Sequence, residues 1–209
     1  MDRLRRRQFS ASLLALLAWT ALGLQFGLML RGVVAGQALL PAIGKFFFYF
    51  TILTNLQAAI VLTRAGLLRT ENTAGFETAT AVYIAMVGLG YSLLLRHLFH
   101  WTGWMRVADE LLHDAMPVLF VLWWIFLARK RLLPWRVLPR FLVWPLIYLV
   151  LALLAGAITG WYPYPFVNAQ ILGYPKVLTL AAGLLVVTAA LSAAAIAFAR
   201  RRSRNADER

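Results

Sequence analysis

Two short stretches of the chain carry side chains able to do chemistry. The first runs from Phe46 through Phe47, Phe48, Tyr49 and Phe50 to Thr51, Thr54, Asn55 and Gln57. Thr51, Thr54 and Asn55 are spaced i, i+3, i+4, so on a helix they share one face. Hydroxyls there can bond back to the i−4 carbonyl while Asn55 joins helices, or a threonine can act as a buried nucleophile. The second stretch is Asp109-Glu110-Leu111-Leu112-His113-Asp114-Ala115-Met116-Pro117. Asp109 and Glu110 precede His113 by about one helical turn, where a carboxylate can fix the imidazole tautomer and stabilise its cation. Pro117 has no N–H, so the His113 carbonyl loses its i+4 donor and the helix is expected to kink. An interfacial histidine beside a kink explains the same residues without chemistry. His97 and His100, spaced i, i+3, could join His113 in a metal or haem site, though nearby aromatics favour interfacial packing.

The elements that must position these residues are membrane helices. Of 209 residues 62% are hydrophobic and only 14% charged, and the mean hydropathy is +0.73. A soluble domain is about 45–50% apolar and about 25% charged. The composition excludes an ordinary soluble globule and a disordered chain. The absence of Cys excludes disulfides, zinc–thiolate sites and thiol nucleophiles. Apolar stretches over 9–30, 44–63, 78–99, 107–128, 141–160 and 176–199 are each long enough to cross a hydrocarbon core of about 30 Å. Backbone polar groups must be satisfied within lipid, so these predict helices. The expected fold is all-α, a single domain over 1–209 built as a bundle of six transmembrane helices. The basic run before the first stretch resembles a signal-peptide n-region, but the apolar run is long and lacks a cleavage site, so it reads as a retained helix.

With six spans, sixteen of the 21 Lys and Arg fall on one side. They are Arg3, Arg5, Arg6, Arg7, Arg64, Arg69, Arg129, Lys130, Arg131, Arg136, Arg140, Arg200, Arg201, Arg202, Arg204 and Arg209. The opposite side has Arg31, Lys45, Arg96, Arg106 and Lys176. This bias predicts both termini in the cytoplasm. The formal charge of +13 is thus read as a topology signal with contacts to anionic lipid, and no nucleic-acid partner is expected. Ionisable residues concentrate in the outer half, and the inner half is expected to hold almost none. Between the last two spans, Gly160-Trp161-Tyr162-Pro163-Tyr164-Pro165-Phe166 predicts a stiff, extended segment. Its aromatics suit an interfacial belt or a lid, with Tyr162 and Tyr164 at the mouth of an outward-facing pocket.

Phe50 to Gln57, Leu-Leu-His-x-x-x-Pro from Leu111 to Pro117, and Gly160 to Phe166 occur in an order that resembles bacterial relatives of the androgen-induced protein family. That family includes the androgen-dependent regulator of tissue-factor pathway inhibitor. The resemblance covers most of the chain. It implies an intramembrane threonine hydrolase acting on fatty acid esters of hydroxy fatty acids, with no cofactor and no metal. It matches the family nucleophile to Thr51, with Thr54 as the fallback, and the family histidine to His113.

An ester carbonyl needs a nucleophile, a base and donors for the developing oxyanion. Asp109, Glu110 or Asp114 could orient His113, and Asn55 is a candidate oxyanion donor. Phe46, Phe47, Phe48, Phe50 and Trp124 suit acyl chains. The substrate expected is a lipid or fatty acyl ester, met in a bacterial inner membrane with the site facing the periplasm. The rival expectations are a small transporter or channel, and a metal- or haem-binding membrane protein.

Overall fold

A computed structural model of the protein describes residues 2–207, which are predominantly α-helical and contain no strand. Arg209, counted above with the basic tail, lies outside the described residues. The chain forms two compact units, Met1–Arg129 and Lys130–Arg209.

The first unit begins with α1 (Asp2–Val34), followed by α2 (Leu39–Phe48), α3 (Phe50–Gly66) and α4 (Ala74–Gly90). On α1, Ala11, Ala15, Ala18 and Ala21 are fully buried, while Phe9, Leu13 and Leu16 are exposed. Small residues inward and bulky apolar residues outward is the arrangement of a helix solvated by lipid, where close backbone approach drives packing. Helix α3 supplies the opposing surface. A Cβ on Gly66 would run into the backbone of Ala11 and Ser12 and lie 2.7 Å from the Ser12 hydroxyl. Only hydrogen fits at that crossing.

Helices α2 and α3 form one bent pair, turned by 70° at Tyr49, whose backbone is extended (φ −74°, ψ 129°). No Pro or Gly occupies the break. It falls inside five consecutive aromatics, Phe46 to Phe50, residues that lose rotamer freedom in a helix. The consequence is positional: Thr51 stands in the first turn of α3 instead of mid-span.

After α4 the chain makes a π turn, Tyr91–Leu95, then a 3₁₀ turn, Arg96–Leu98. Helix α5 (Gly103–Glu110) runs through a second π turn, Leu111–Ala115, into α6 (Met116–Phe126). The second π turn abuts Pro117, where a regular i+4 bond to the His113 carbonyl is impossible; the Met116 N–H bonds Leu111 O instead. The expected kink is thus accommodated by one widened turn. Helix α4 crosses close by: a Cβ on Gly88 would stand 3.0 Å from Pro117 Cβ and 3.3 Å from the His113 carbonyl oxygen.

The second unit contains α7 (Leu138–Thr159), the short α8 (Ala169–Leu172) and the long α9 (Tyr174–Asp207). Gly160 ends α7 in the left-handed region (φ 72°), and the following aromatic segment closes on the unit's own core of Val167, Ala169 and Val177.

Four helical segments are long and apolar enough to cross a membrane: Arg3–Val34, Ala74–Leu98, Trp135–Thr159 and Tyr174–Asn205. The bent α2–α3 pair makes a fifth if it counts as one span. The remaining expected span is continuously helical from Gly103 to Phe126, but Arg106, Asp109, Glu110 and Asp114 give it too much charge to qualify on composition.

Arg7 departs from the sequence expectation. Helix α1 starts early enough to carry this residue into the bundle, where it is 5% exposed. Its Nη2 pairs with Glu77 Oε1 at 2.7 Å, and Glu77 is 1% exposed in the first turn of α4. The Asn72 amide bonds Val61 O and, at 3.4 Å, Glu77 Oε1. The Arg7 guanidinium also lies over Trp123 at 5.7 Å. The end of the unit expected to lack ionisable groups therefore holds a buried ion pair, legible only once the start of α1 is known. Removing one member of such a pair strands a buried charge, at a cost of about 3–5 kcal/mol, whereas apolar replacement of both is close to neutral. Thermal unfolding in detergent, followed by Trp fluorescence, should therefore show Glu77→Gln strongly destabilised. Arg7→Met combined with Glu77→Leu should recover most of the loss.

Candidate active site

Thr51 lies in the first turn of α3 and is 8% exposed. Its Oγ1 is 3.3 Å from Nε2 of His113, in the second π turn. On the other side of the ring, His113 Nδ1 is 3.0 Å from the backbone carbonyl oxygen of Asp109 and 3.1 Å from its Oδ1. A carbonyl and an ionised carboxylate only accept, so the neutral ring carries its proton on Nδ1 and leaves Nε2 to accept from the Thr51 hydroxyl. The order hydroxyl, imidazole, carboxylate is the order in which a base activates a nucleophile while a third group orients the base.

The structure selects among the three expected carboxylates. Asp109 contacts the His113 ring. Glu110 pairs with Arg106 at 2.7 Å on an exposed face of α5. Asp114 pairs with Arg96. Asp109 alone is both part-buried and within reach of Nδ1, because residues i and i+4 meet along one helix face.

Asn55 sits one turn beyond Thr51 and is fully buried. Its Nδ2 donates to the Thr51 carbonyl at 2.9 Å and to the Leu112 carbonyl at 3.2 Å. A side-chain amide nitrogen has two hydrogens, and both are spent. Of its two expected roles, helix joiner and oxyanion donor, the structure shows the first, a clamp joining α3 to the π turn. Thr54 is also fully buried, and its hydroxyl makes no hydrogen bond. The structure thus brings Thr51 to His113 and keeps Thr54 a turn further along α3.

Two further residues complete the cluster: Arg96, one of the ionisable residues expected in the outer half, and Tyr91, which the sequence did not single out. The Tyr91 hydroxyl donates to Asp109 Oδ2, and its ring stacks on the His113 ring with centroids 4.1 Å apart and planes 19° apart. The Arg96 guanidinium lies over the Tyr91 ring at 5.0 Å and bonds Ser92 Oγ at 3.2 Å. Tyr91 precedes Asp109 by 18 residues, a separation no local spacing rule connects. The one available signal was a tyrosine one turn before a charged residue near a span end.

Other expected site residues of the first unit do not join this cluster. His97 and His100 are exposed, and among the described residues no group of three or more His, Cys, Asp and Glu comes together as a metal site. Trp124 donates to Thr78 Oγ1 at 3.3 Å near the start of α4, about 20 Å along that helix from Tyr91, so it does not border this cluster. Phe46 packs edge-on against Phe26, and Phe50 against Tyr83. Tyr162 and Tyr164 belong to the second unit, where Tyr162 fills the space left by Gly156 and Tyr164 stacks on Phe166 at 5.1 Å.

No protein family, characterised protein or solved structure matches the chain.

Removing the Asn55 amide leaves the Leu112 carbonyl without a donor in a buried setting, because the Met116 N–H is taken by Leu111 and Pro117 has none, a loss worth about 1–3 kcal/mol. Asn55→Ala should lower the unfolding temperature in detergent. Asn55→Asp, which has no N–H to offer, should not restore it.

Proposed function

We propose that the protein is an intramembrane lipid ester hydrolase with Thr51 as nucleophile, His113 as general base and acid, and Asp109 as the group that orients His113. The observation that carries this reading is the Thr51–His113–Asp109 line of contacts. It is what an acyl-transfer site requires, and two histidine contacts of the correct polarity meet in one ring.

The proposed reaction runs in two halves. Thr51 Oγ1 attacks the ester carbonyl while its proton passes to His113 Nε2. The tetrahedral intermediate collapses, the ester C–O bond breaks, and His113 returns the proton to the leaving alcohol, giving an acyl-threonine. Water then repeats the sequence, with His113 taking its proton, and releases the carboxylic acid. Asp109 stabilises the imidazolium formed in each half. The break at Tyr49 contributes as well. In the first turn of α3, Thr51 Oγ1 sits at the positive end of the helix dipole, which favours negative charge developing on oxygen there.

The resemblance to the androgen-induced protein family supports fatty acid esters of hydroxy fatty acids as the substrate class. The distribution of Lys and Arg supports six spans with cytoplasmic termini, and the Ala-, Leu- and Arg-rich composition suits a bacterial source, hence an inner membrane with the site facing the periplasm. A transporter or channel is the second reading. The buried Arg7–Glu77 pair favours it, because ionisable groups inside a membrane often mark a conduction path.

Hydrolysis of a panel of lipid esters by the purified protein tests the proposal. Residues acting as one unit are non-additive. Thr51→Ala and His113→Ala should each lose about 10³-fold or more in kcat, and the double variant should be no worse. Thr54→Ala should remain active. Full activity in Thr51→Ala would remove the threonine mechanism. Ion or solute flux in liposomes without ester hydrolysis would favour the second reading.

A further inference from the structure

Tyr91 contacts both partners of the Thr51 hydroxyl's relay, and each contact restrains a different degree of freedom. Its hydroxyl donates to Asp109 Oδ2, while Asp109 Oδ1 faces His113 Nδ1 at 3.1 Å. The carboxylate is therefore held at both oxygens, and rotation about its terminal torsion would break one bond or the other. Its ring lies nearly parallel to the imidazole at 4.1 Å, which fixes the plane in which Nε2 points at Thr51. Tyr91 is itself held. It is 5% exposed, it opens the first π turn, and the Arg96 guanidinium over its ring is braced by Asp114 and Ser92. A π turn displaces the following side chains relative to a regular helix. The two widened turns, one carrying Tyr91 and one carrying His113, meet at this stack.

We propose that Tyr91 is a positioning residue for the site: its hydroxyl sets the Asp109 carboxylate against His113, and its ring sets the plane of the imidazole. A packing role alone would need only the ring, and phenylalanine would serve equally. The hydroxyl is what the positioning role adds. The kinetic consequence rests on the hydrolase reading; the geometric one does not.

The test separates them. The chain has three histidines, so ¹⁵N-histidine NMR of the full-length protein in detergent micelles gives few signals, and His113→Gln identifies that of His113. The wild type should show a downfield, slowly exchanging Nδ1–H proton on His113. The Asp109 carbonyl still accepts from Nδ1 in either variant, so Tyr91→Phe should move the signal upfield and speed its exchange, as should Asp109→Asn, and combining the two should add nothing further. In the hydrolysis assay, Tyr91→Phe should lower kcat by about 10–100-fold, the scale on which partners that orient a histidine act, with KM unchanged. A slow Nδ1–H that persists in Tyr91→Phe, or that the wild type lacks, overturns the proposal. The expected upfield shift and faster exchange in a protein that hydrolyses no ester leave Tyr91's positioning role standing and remove the hydrolase.

Discussion

One side-chain amide ties the two halves of the site together. Asn55 donates one hydrogen to the carbonyl of Thr51 on its own helix and the other to the carbonyl of Leu112, the residue before His113. The Leu112 carbonyl lies where water has little access and has no backbone donor of its own, so it would be costly to leave unpaired. The same bonds set the height of α3 against the π turn, and with it the 3.3 Å approach of Thr51 Oγ1 to His113 Nε2. The irregular features of the first unit serve that registration. The break at Tyr49 starts α3 just before Thr51. The π turn before Pro117 absorbs the missing N–H and lets Asn55 reach Leu112. Gly88 and Gly66 allow α4 and α1 to pack closely on the helices that carry the site.

Two charge clusters of this unit have different roles. Arg7 and Glu77 are sealed between α1 and α4, beside Asn72 and Trp123. A buried pair of that kind gives little net stability but penalises any arrangement that separates its members, so it fixes how the helices assemble. The cluster at the far end of α4 is more open. Arg96 and Asp114 are both partly exposed, and they surround rather than form the Thr51–His113 contact. Between the clusters, Gln57 bonds Thr80 across α3 and α4.

Much of this was legible in sequence, and the parts that were not have physical causes. The all-α class follows from composition, since apolar stretches of this length satisfy their backbone only as helices. Thr51, Thr54, Asn55 and His113 stood out because a polar residue in an apolar helix is conspicuous, and the family resemblance singled out Thr51 and His113 among them. Spacing of i+3 and i+4 put Asp109 and Glu110 beside His113, Asp114 is its chain neighbour, and the pairing of the last two with Arg106 and Arg96 left Asp109 to face the ring. Tyr91 and the Arg7–Glu77 pair were hidden because they are long-range contacts: 18 and 70 residues separate the partners. Asn55 was legible as a residue joining helices, but nothing local reveals that its second hydrogen reaches Leu112. The break at Tyr49 has no Pro or Gly to announce it. The count of six spans ran into the very residues that make the site, because the helix bearing Asp109, Glu110 and Asp114 is the least apolar of the set.

The central claim is that the Thr51 hydroxyl is a nucleophile made reactive by His113. Treating the purified protein with a lipid-like fluorophosphonate and mapping the adduct by peptide fragmentation tests it most directly. The account predicts one phosphonylated residue, Thr51, and no adduct in His113→Ala. An adduct on Thr54, or labelling of Thr51 that proceeds at the same rate without His113, would contradict it.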